Sequence, residues 1–182
     1  MKEVNLEIYR PDLYYSGFCR IDFSLVKDKG IKNLIIDVDA TIAHRDSDKP
    51  DIKAASIINE LLELKTINRI CLVSNIIMGK KREQRVAKIA EILGVPYVAA
   101  NFFNRKPKPG PFNQGLKLID ASCENTAVIG DQLLTDIVGG NRLGMFTILV
   151  DPLGPPHWVT RLLQRHKKQA EIIKKLNLNT MD

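Results

Sequence analysis

The sequence has few cysteines, no internal repeats and no long hydrophobic run, and each shortage excludes a class of protein. Its three cysteines, Cys19, Cys71 and Cys123, are far apart and form no Cys-x-x-Cys pair. A disulfide framework or a zinc site is therefore not expected, and a reducing intracellular (cytoplasmic) compartment fits best. No apolar run has the length of a transmembrane segment. Residues 1–7 lack the apolar core of a secretory signal.

The length and hydrophobic content of the chain predict one domain, and its charge is concentrated near the end of the sequence. The chain has 182 residues, of which 45% are hydrophobic, and we expect residues 1–182 to form one domain with a real core. The net charge of +6 is unevenly spread, because residues 157–176 contain six basic residues and one acid, Glu171. The six are Arg161, Arg165, Lys167, Lys168, Lys174 and Lys175.

Apolar runs alternate with stretches of helical period along the chain. The runs are 34–36, 70–73, 95–100, 127–129 and 146–150. The helical stretches are 51–65, 80–93, 111–119 and 133–143, with Asp51 and Gly94 as expected N-terminal and C-terminal caps. This alternation predicts an α/β fold, a doubly wound, Rossmann-like parallel sheet with helices on both faces. We expect the segment before Lys32 to pack on the sheet edge. Ligands of such folds bind at the carboxyl ends of the strands.

Two aspartates follow the first central run, in the segment 37–41 (DVDAT). Residues i and i+2 of an extended chain point the same way, so the side chains of Asp37 and Asp39 are expected on one side. Two such carboxylates repel unless a cation or a proton lies between them. The pair can bind a divalent metal, and one member can attack phosphorus while the other moves a proton. On its own, the segment equally fits a strand that ends in two solvated aspartates.

Three later segments favour the chemical interpretation. They are 71–75 (CLVSN), 105–111 (RKPKPGP) and 128–131 (VIGD), the last followed by Asp136. The order of acid pair, hydroxyl, lysine and acid pair resembles the haloacid dehalogenase (HAD) superfamily. Its four motifs match Asp37/Asp39/Thr41, Ser74, Lys106 and Asp131/Asp136. The segments 11–14, 30–32, 130–137 and 139–144 are similar to those of YqeG-type HAD phosphatases, relatives of the phosphatidylglycerophosphate phosphatases. Ala40 departs from the asparagine that is usual there.

The resemblance implies a role for each motif residue. Asp37 would be the nucleophile that forms an aspartyl-phosphate, and Asp39 would be the general acid and base. Mg²⁺ would bind Asp37, the backbone carbonyl of Asp39, and Asp131. The hydroxyl of Ser74 and the backbone N–H of Asn75 would hold the phosphoryl oxygens. Lys106 would supply positive charge, Thr41 would support the site, and Asp136 would orient Lys106 or a metal-bound water.

Alternatives remain open for two of these positions. Lys108 competes with Lys106, although the Lys-Pro pairing of the family favours Lys106. Asp136 could be the N-cap of a helix that begins near Ile137, a role that is compatible with the first.

The spacing of the motifs leaves no room for a cap domain, so we expect an open site. The predicted function is that of a Mg²⁺-dependent phosphomonoesterase, with phosphatidylglycerophosphate as the substrate that the resemblance suggests. Phosphates of nucleic-acid ends and of small soluble esters are alternatives. A catalytically idle phosphate-binding module and a phospho-acceptor receiver domain fit the motifs less well.

The basic tail, residues 157–182, is predicted to be a helix. Apolar residues at near-helical spacing alternate with its cations, so the stretch 157–176 could lie on an anionic membrane as a peripheral contact, with Trp158 as an anchor. The alternative is that the same apolar side packs on the body of the domain.

Overall fold

Six strands form one parallel sheet in the computed structural model of the protein, which describes residues 6–76, 79–154 and 165–182. The strands are β1 (Leu13–Tyr15), β2 (Asn33–Ile36), β3 (Arg69–Asn75), β4 (Tyr97–Ala100), β5 (Thr126–Gly130) and β6 (Phe146–Val150). Their order in the sheet is β1-β6-β5-β2-β3-β4, and every pairing is parallel. The predicted doubly wound α/β fold is confirmed.

Helices cover both faces of this sheet. They are α1 (Phe23–Asp28), α2 (Ile52–Glu63), α3 (Lys80–Leu93), α4 (Pro109–Leu118), α5 (Val138–Arg142) and α6 (Arg165–Lys175). Leu34 and Ile36 of β2 belong to the core under α1, α2 and α3, whereas Ile35 packs with Phe112 and Leu116 of α4. Alternate residues of one buried strand therefore reach opposite layers, as the period of two requires.

Local signals explain where the two long helices begin and end. The side chain of Asp51 accepts hydrogen bonds from the backbone N–H groups of Lys53 and Ala54, which caps α2. Gly94 ends α3 in the left-handed conformation, with φ of 64°. Both caps were predicted.

Two elements differ from the sequence-based expectation. The chain before Lys32 does reach the sheet edge, but it does so as a three-residue strand, β1, paired with β6. The single helix expected over 133–143 is instead a π-helical turn, Leu133–Ile137, followed by α5. This wider turn lies directly after β5 and turns the Asp136 side chain back toward the end of that strand.

The connections carry no added domain in the part of the chain that the structure describes. The link from β2 to β3 contains α2, and the link from β3 to β4 contains α3. None of the described helices is both long and apolar enough to cross a bilayer.

The end of the chain packs on the domain. Ile172 of α6 and Leu176, the residue directly after α6, are buried in a cluster with Leu133, Ile137 and Leu149. This described part of the basic tail therefore takes the alternative arrangement, in which the apolar side packs on the protein. Trp158, on which the membrane hypothesis also depends, lies outside the described residues.

Candidate active site

The carboxyl ends of three adjacent strands bring most of the predicted site residues to one edge of the sheet. Asp37 directly follows β2, Ser74 is the penultimate residue of β3, and Asp131 directly follows β5. The backbone N–H of Asp37 still donates to the carbonyl of Ile129 at 2.9 Å, which continues the β2–β5 pairing into the site. All three side chains are buried. The order of the strands thus assembles residues that are far apart in sequence.

The Lys106 ammonium lies at the centre of this edge and is 3% exposed. It donates to Asp37 Oδ1 at 2.5 Å and to the carbonyl of Val73 at 2.6 Å, and it lies 2.7 Å from Asp136 Oδ1. Burial alone would lower the pKa of Lys106, but the carboxylates of Asp136 and Asp37 raise it above its ordinary value. Lys106 therefore carries a fixed positive charge against the predicted nucleophile.

The competing lysine lies elsewhere. Lys108 is exposed, and its ammonium donates to the backbone carbonyl of Phe103 at 2.6 Å. The structure thus brings Lys106, and not Lys108, to the carboxylates.

Asn75 holds the backbone on both sides of Lys106. Its Oδ1 accepts from the backbone N–H of Lys106 at 2.8 Å, and its Nδ2 donates to the carbonyl of Lys106 at 3.1 Å. From the sequence, only the backbone N–H of Asn75 was predicted to take part, as a phosphate donor. Its side chain has the further role of fixing the loop that carries the buried lysine.

Three carboxylates share the space around Lys106. Asp37, Asp131 and Asp136 each offer an oxygen, and these atoms all lie within 4.8 Å of one another. Burial first, and the charges of Asp37 and Asp136 second, raise the pKa of Asp131 well above its usual value. Burial also raises the pKa of Asp136, although Lys106 opposes the shift. Lys106 alone therefore does not neutralise the three carboxylates.

Asp136 and Thr41 support this cluster from two sides. The Oδ2 of Asp136 accepts from the backbone N–H of Gln132 at 3.2 Å, within the π-helical turn. Asp136 is thus not the N-cap of α5, contrary to the alternative interpretation. A Cβ at Gly130 would lie 2.4 Å from the Asp136 carboxylate, so only glycine leaves room for it. Thr41 Oγ1 lies 3.5 Å from Asp37 Oδ2.

Asp39 faces arginines that belong to none of the sequence motifs. Arg85 Nη1 donates to Asp39 Oδ1 at 2.7 Å, and Arg82 Nη1 lies 3.8 Å from Asp39 Oδ2. Arg45 Nη2 lies 3.8 Å from Asp131 Oδ2. Burial, and then the charge of Asp37, raise the pKa of Asp39, while Arg85 lowers it. The spacing of Arg82 and Arg85 places both side chains on one face of the helix. Such a pair of basic residues fits a solvated helix face equally well.

The C-terminal helix also contacts the site. Gln169 of α6 donates from Nε2 to the backbone carbonyl of Asp131 at 2.8 Å, and its Oε1 accepts from the N–H of Leu133 at 3.0 Å. One amide side chain thus holds the loop that carries Asp131. No local sequence pattern pointed to this contact.

Comparison with known proteins agrees with this geometry. Residues 4–154 match the family model described as "Mitochondrial PGP phosphatase". The chain belongs to this phosphatase family. It is 32% identical over 147 residues to "Probable phosphatase YqeG" of Bacillus subtilis (strain 168), a match that covers 81% of this chain and 80% of that protein. The predicted YqeG-type HAD phosphatase is therefore confirmed at the level of family and enzyme class.

A solved structure supports the fold of this phosphatase family member. The crystal structure of an uncharacterized protein from Listeria monocytogenes serotype 4b superposes with a TM-score of 0.52 at 15% identity. The match covers 75% of this chain and 99% of that one. At this identity the similarity shows the fold alone.

Proposed function

We propose that the protein is a Mg²⁺-dependent phosphomonoesterase in which Asp37 is the nucleophile. The observation that carries the proposal is the contact of Lys106 Nζ with Asp37 Oδ1 at 2.5 Å, inside a buried group of three carboxylates. A buried lysine can hold the nucleophile in its ionised form and can also attract the phosphoryl group. A strand that merely ended in solvated aspartates would not have such a partner.

The residues present fit a magnesium ion. Their donors are carboxylate oxygens, which Mg²⁺ prefers. Asp131 Oδ1 is buried and has no hydrogen-bond partner among the described residues, so it is open to a cation. Asp37, Asp131 and the backbone carbonyl of Asp39 would hold the ion, which would neutralise charge on the phosphoryl group. Asp136 lies in the same cluster, and we assign it to the orientation of Lys106.

The proposed reaction has two steps, phosphorylation of Asp37 and hydrolysis of the phosphorylated residue. A carboxylate oxygen of Asp37 attacks phosphorus, and the bond from phosphorus to the ester oxygen breaks. Asp39 gives its proton to that leaving oxygen. Asp39 then takes a proton from water, which attacks phosphorus and releases inorganic phosphate from Asp37. The raised pKa of Asp39 suits an acid that must hold a proton before the first step.

Ser74 and Asn75 would bind the transferred group. A hydroxyl and a backbone N–H can donate to phosphoryl oxygens that carry charge in the transition state, and Lys106 would add positive charge beside them. Both residues lie at the end of β3, next to the Val73 carbonyl that binds Lys106.

For the substrate we propose a lipid phosphate, namely phosphatidylglycerophosphate. The description of the matching family and the lack of a cap among the described residues support this choice. An open site can reach a phosphate on a bulky or surface-bound molecule. Nucleic-acid ends and small soluble phosphate esters are the alternatives.

The experiment compares phosphate release from three substrates at equal phosphate concentration: phosphatidylglycerophosphate in mixed micelles, a 5′-phosphorylated oligonucleotide and a sugar phosphate. Each is measured with Mg²⁺ and with a chelator, and Asp37→Asn is the blank. We expect Mg²⁺-dependent release that is fastest from the lipid. Faster release from another substrate would reject the lipid assignment, and no release from any ester, p-nitrophenyl phosphate included, would indicate an idle module.

A further inference from the structure

Two phenylalanines lie exposed beside the candidate active site, in a loop that the proposed reaction does not use. Phe102 is 56% exposed and Phe103 is 82% exposed. Their rings meet edge to face, with centroids 5.7 Å apart. Single apolar residues on a surface are ordinary, whereas contiguous exposed apolar patches are typical of interaction sites. We call residues 101–105 the aromatic loop.

Hydrogen bonds fix the backbone of the aromatic loop. Asn101 Oδ1 accepts from the N–H groups of Phe103 and Asn104, each at 3.0 Å. Lys108 Nζ donates to the carbonyl of Phe103 at 2.6 Å. The two rings are therefore held outward by an ordered turn, so a partner would not have to order the loop on binding.

The charge around the rings has one sign. The guanidinium of Arg105 lies 4.8 Å from the centroid of the Phe102 ring, within the range of a cation–π contact. Residues 101–110 contain no acid, and two of their three basic residues, Arg105 and Lys108, lie outside the buried site. Lys80 and Lys81, both exposed, begin α3 at the same edge of the sheet.

The aromatic loop adjoins the phosphate chemistry. It follows β4 at the carboxyl edge of the sheet, and the next residue along the chain is Lys106, whose ammonium contacts Asp37. A surface that binds this loop therefore lies beside the opening of the candidate active site.

We propose that the aromatic loop docks on an anionic lipid bilayer. Phe102 and Phe103 enter the boundary between headgroups and acyl chains, and Arg105 and Lys108 lie over lipid phosphates. The inference rests on the proposed function, because it brings the site to a phosphate ester that is held in the bilayer. Two phenylalanines offer too little area for a stable interface between proteins, whereas a few apolar side chains and cations suffice for reversible membrane binding.

The test is sedimentation of the full chain with vesicles in the presence of a chelator, so that no turnover is needed. One set of vesicles contains equal parts of phosphatidylglycerol and phosphatidylcholine, and the other contains phosphatidylcholine alone. The variant is Phe102→Ser with Phe103→Ser. The matched control is Leu64→Ser, since Leu64 is 68% exposed and lies after α2, at the opposite edge of the sheet.

We expect the parent and Leu64→Ser to bind the anionic vesicles equally, and the double variant to bind at least about tenfold less. Binding of the parent is expected to weaken as salt rises. Hydrolysis of soluble p-nitrophenyl phosphate and the thermal midpoint of the double variant should match the parent. Equal binding by the double variant, or no vesicle binding by the parent, would overturn the inference. A Phe-dependent change in oligomeric state without vesicle binding would likewise overturn it and assign the loop to a protein interface.

Different experiments test the proposed function and the docking of the aromatic loop. Absence of Mg²⁺-dependent hydrolysis of any ester contradicts the proposed function, whereas the vesicle measurement alone decides the docking of the aromatic loop.

Discussion

Arg85 donates from Nη1 to Asp39 Oδ1 at 2.7 Å, across 46 positions of the sequence. Its Nε donates to the carbonyl of Ser47 at 2.6 Å, and its Nη2 donates to the carbonyl of His44 at 2.7 Å. One side chain of α3 therefore holds both the proposed acid and the loop that follows it. We infer that Arg85 is a positioning residue for Asp39.

Replacement of Arg85 by glutamine is expected to lower kcat by about 10- to 100-fold, because a misplaced general acid forfeits part of its usual contribution. The loss should be larger for alkyl phosphates than for p-nitrophenyl phosphate, whose leaving group needs little protonation. Steady-state kinetics on both esters measures the difference.

Lys88→Gln is the matched control for Arg85→Gln. Lys88 lies further along the same helix and forms a surface ion pair with Asp48, so its replacement should leave both rates within about twofold. Equal losses on both esters in Arg85→Gln would indicate a structural role and contradict the positioning of Asp39.

Replacement of Asp131 should weaken metal binding but stabilise the metal-free protein. Because folding raises the pKa of Asp131, the folded metal-free protein binds more protons than the unfolded chain, and its stability falls as pH rises through the raised pKa. Asp131→Asn, whose side chain cannot ionise, should therefore raise the free energy of unfolding of the metal-free protein at pH 7, as measured by urea unfolding. The gain should shrink toward lower pH.

Thermal unfolding with and without Mg²⁺ completes this test. Mg²⁺ should raise the midpoint of the parent and have little effect on Asp131→Asn. Asp46→Asn, which alters an exposed acid in the loop after β2, should behave as the parent does. An equal response to Mg²⁺ in Asp131→Asn and the parent would place the ion elsewhere.

The backbone at Ala40 has a conformation that asparagine adopts more readily than alanine does. Its φ is 62°, in the left-handed region, where asparagine and glycine are tolerated better than alanine. Ala40→Gly and Ala43→Gly each remove a buried methyl group, but only the first removes this backbone cost. Urea unfolding should show Ala40→Gly to be more stable than Ala43→Gly by about 1–2 kcal/mol. Equal stabilities would mean that Ala40 is not strained.

Gln169 links the C-terminal helix to the loop that carries Asp131, a proposed metal ligand. Gln169→Ala should raise the Mg²⁺ concentration needed for half-maximal activity by about tenfold, as the loss of an outer-sphere contact commonly does. Lys168→Ala, an exposed neighbour, should not. Deletion of residues 165–182 is then expected to lower activity on soluble esters as well as on lipids. Full activity of Gln169→Ala on a soluble ester at low Mg²⁺ would contradict this link.

The features that could be predicted from the sequence are those that depend on residues close together along the chain. The central strands are short apolar runs, and the helix caps at Asp51 and Gly94 depend on adjacent residues. The motif residues lie at strand ends, just after them or on a loop beside them, and a parallel sheet gathers these ends at one edge, so their proximity could be anticipated.

The remaining features depend on contacts between distant segments. The three residues of β1 are too few to show a period, and they form a strand only because β6 offers an edge. The π-helical turn depends on the space that Gly130 leaves for Asp136. Arg85 and Gln169 look like ordinary surface residues of amphipathic helices until the packing of those helices directs them at the site.

The role of Asp37 as the nucleophile is tested most directly by locating the phosphoryl group on its side chain. In Asp39→Ala, p-nitrophenyl phosphate should still phosphorylate the enzyme, because its leaving group needs no acid, but water would lack its base and the intermediate should accumulate. The measurement is mass spectrometry of peptides after an acid quench, with Asp37→Asn/Asp39→Ala as the control. We predict one added phosphoryl group on the peptide that contains Asp37, and none in the control. A phosphoryl group on another residue, or none at all during continued turnover, would contradict the central claim.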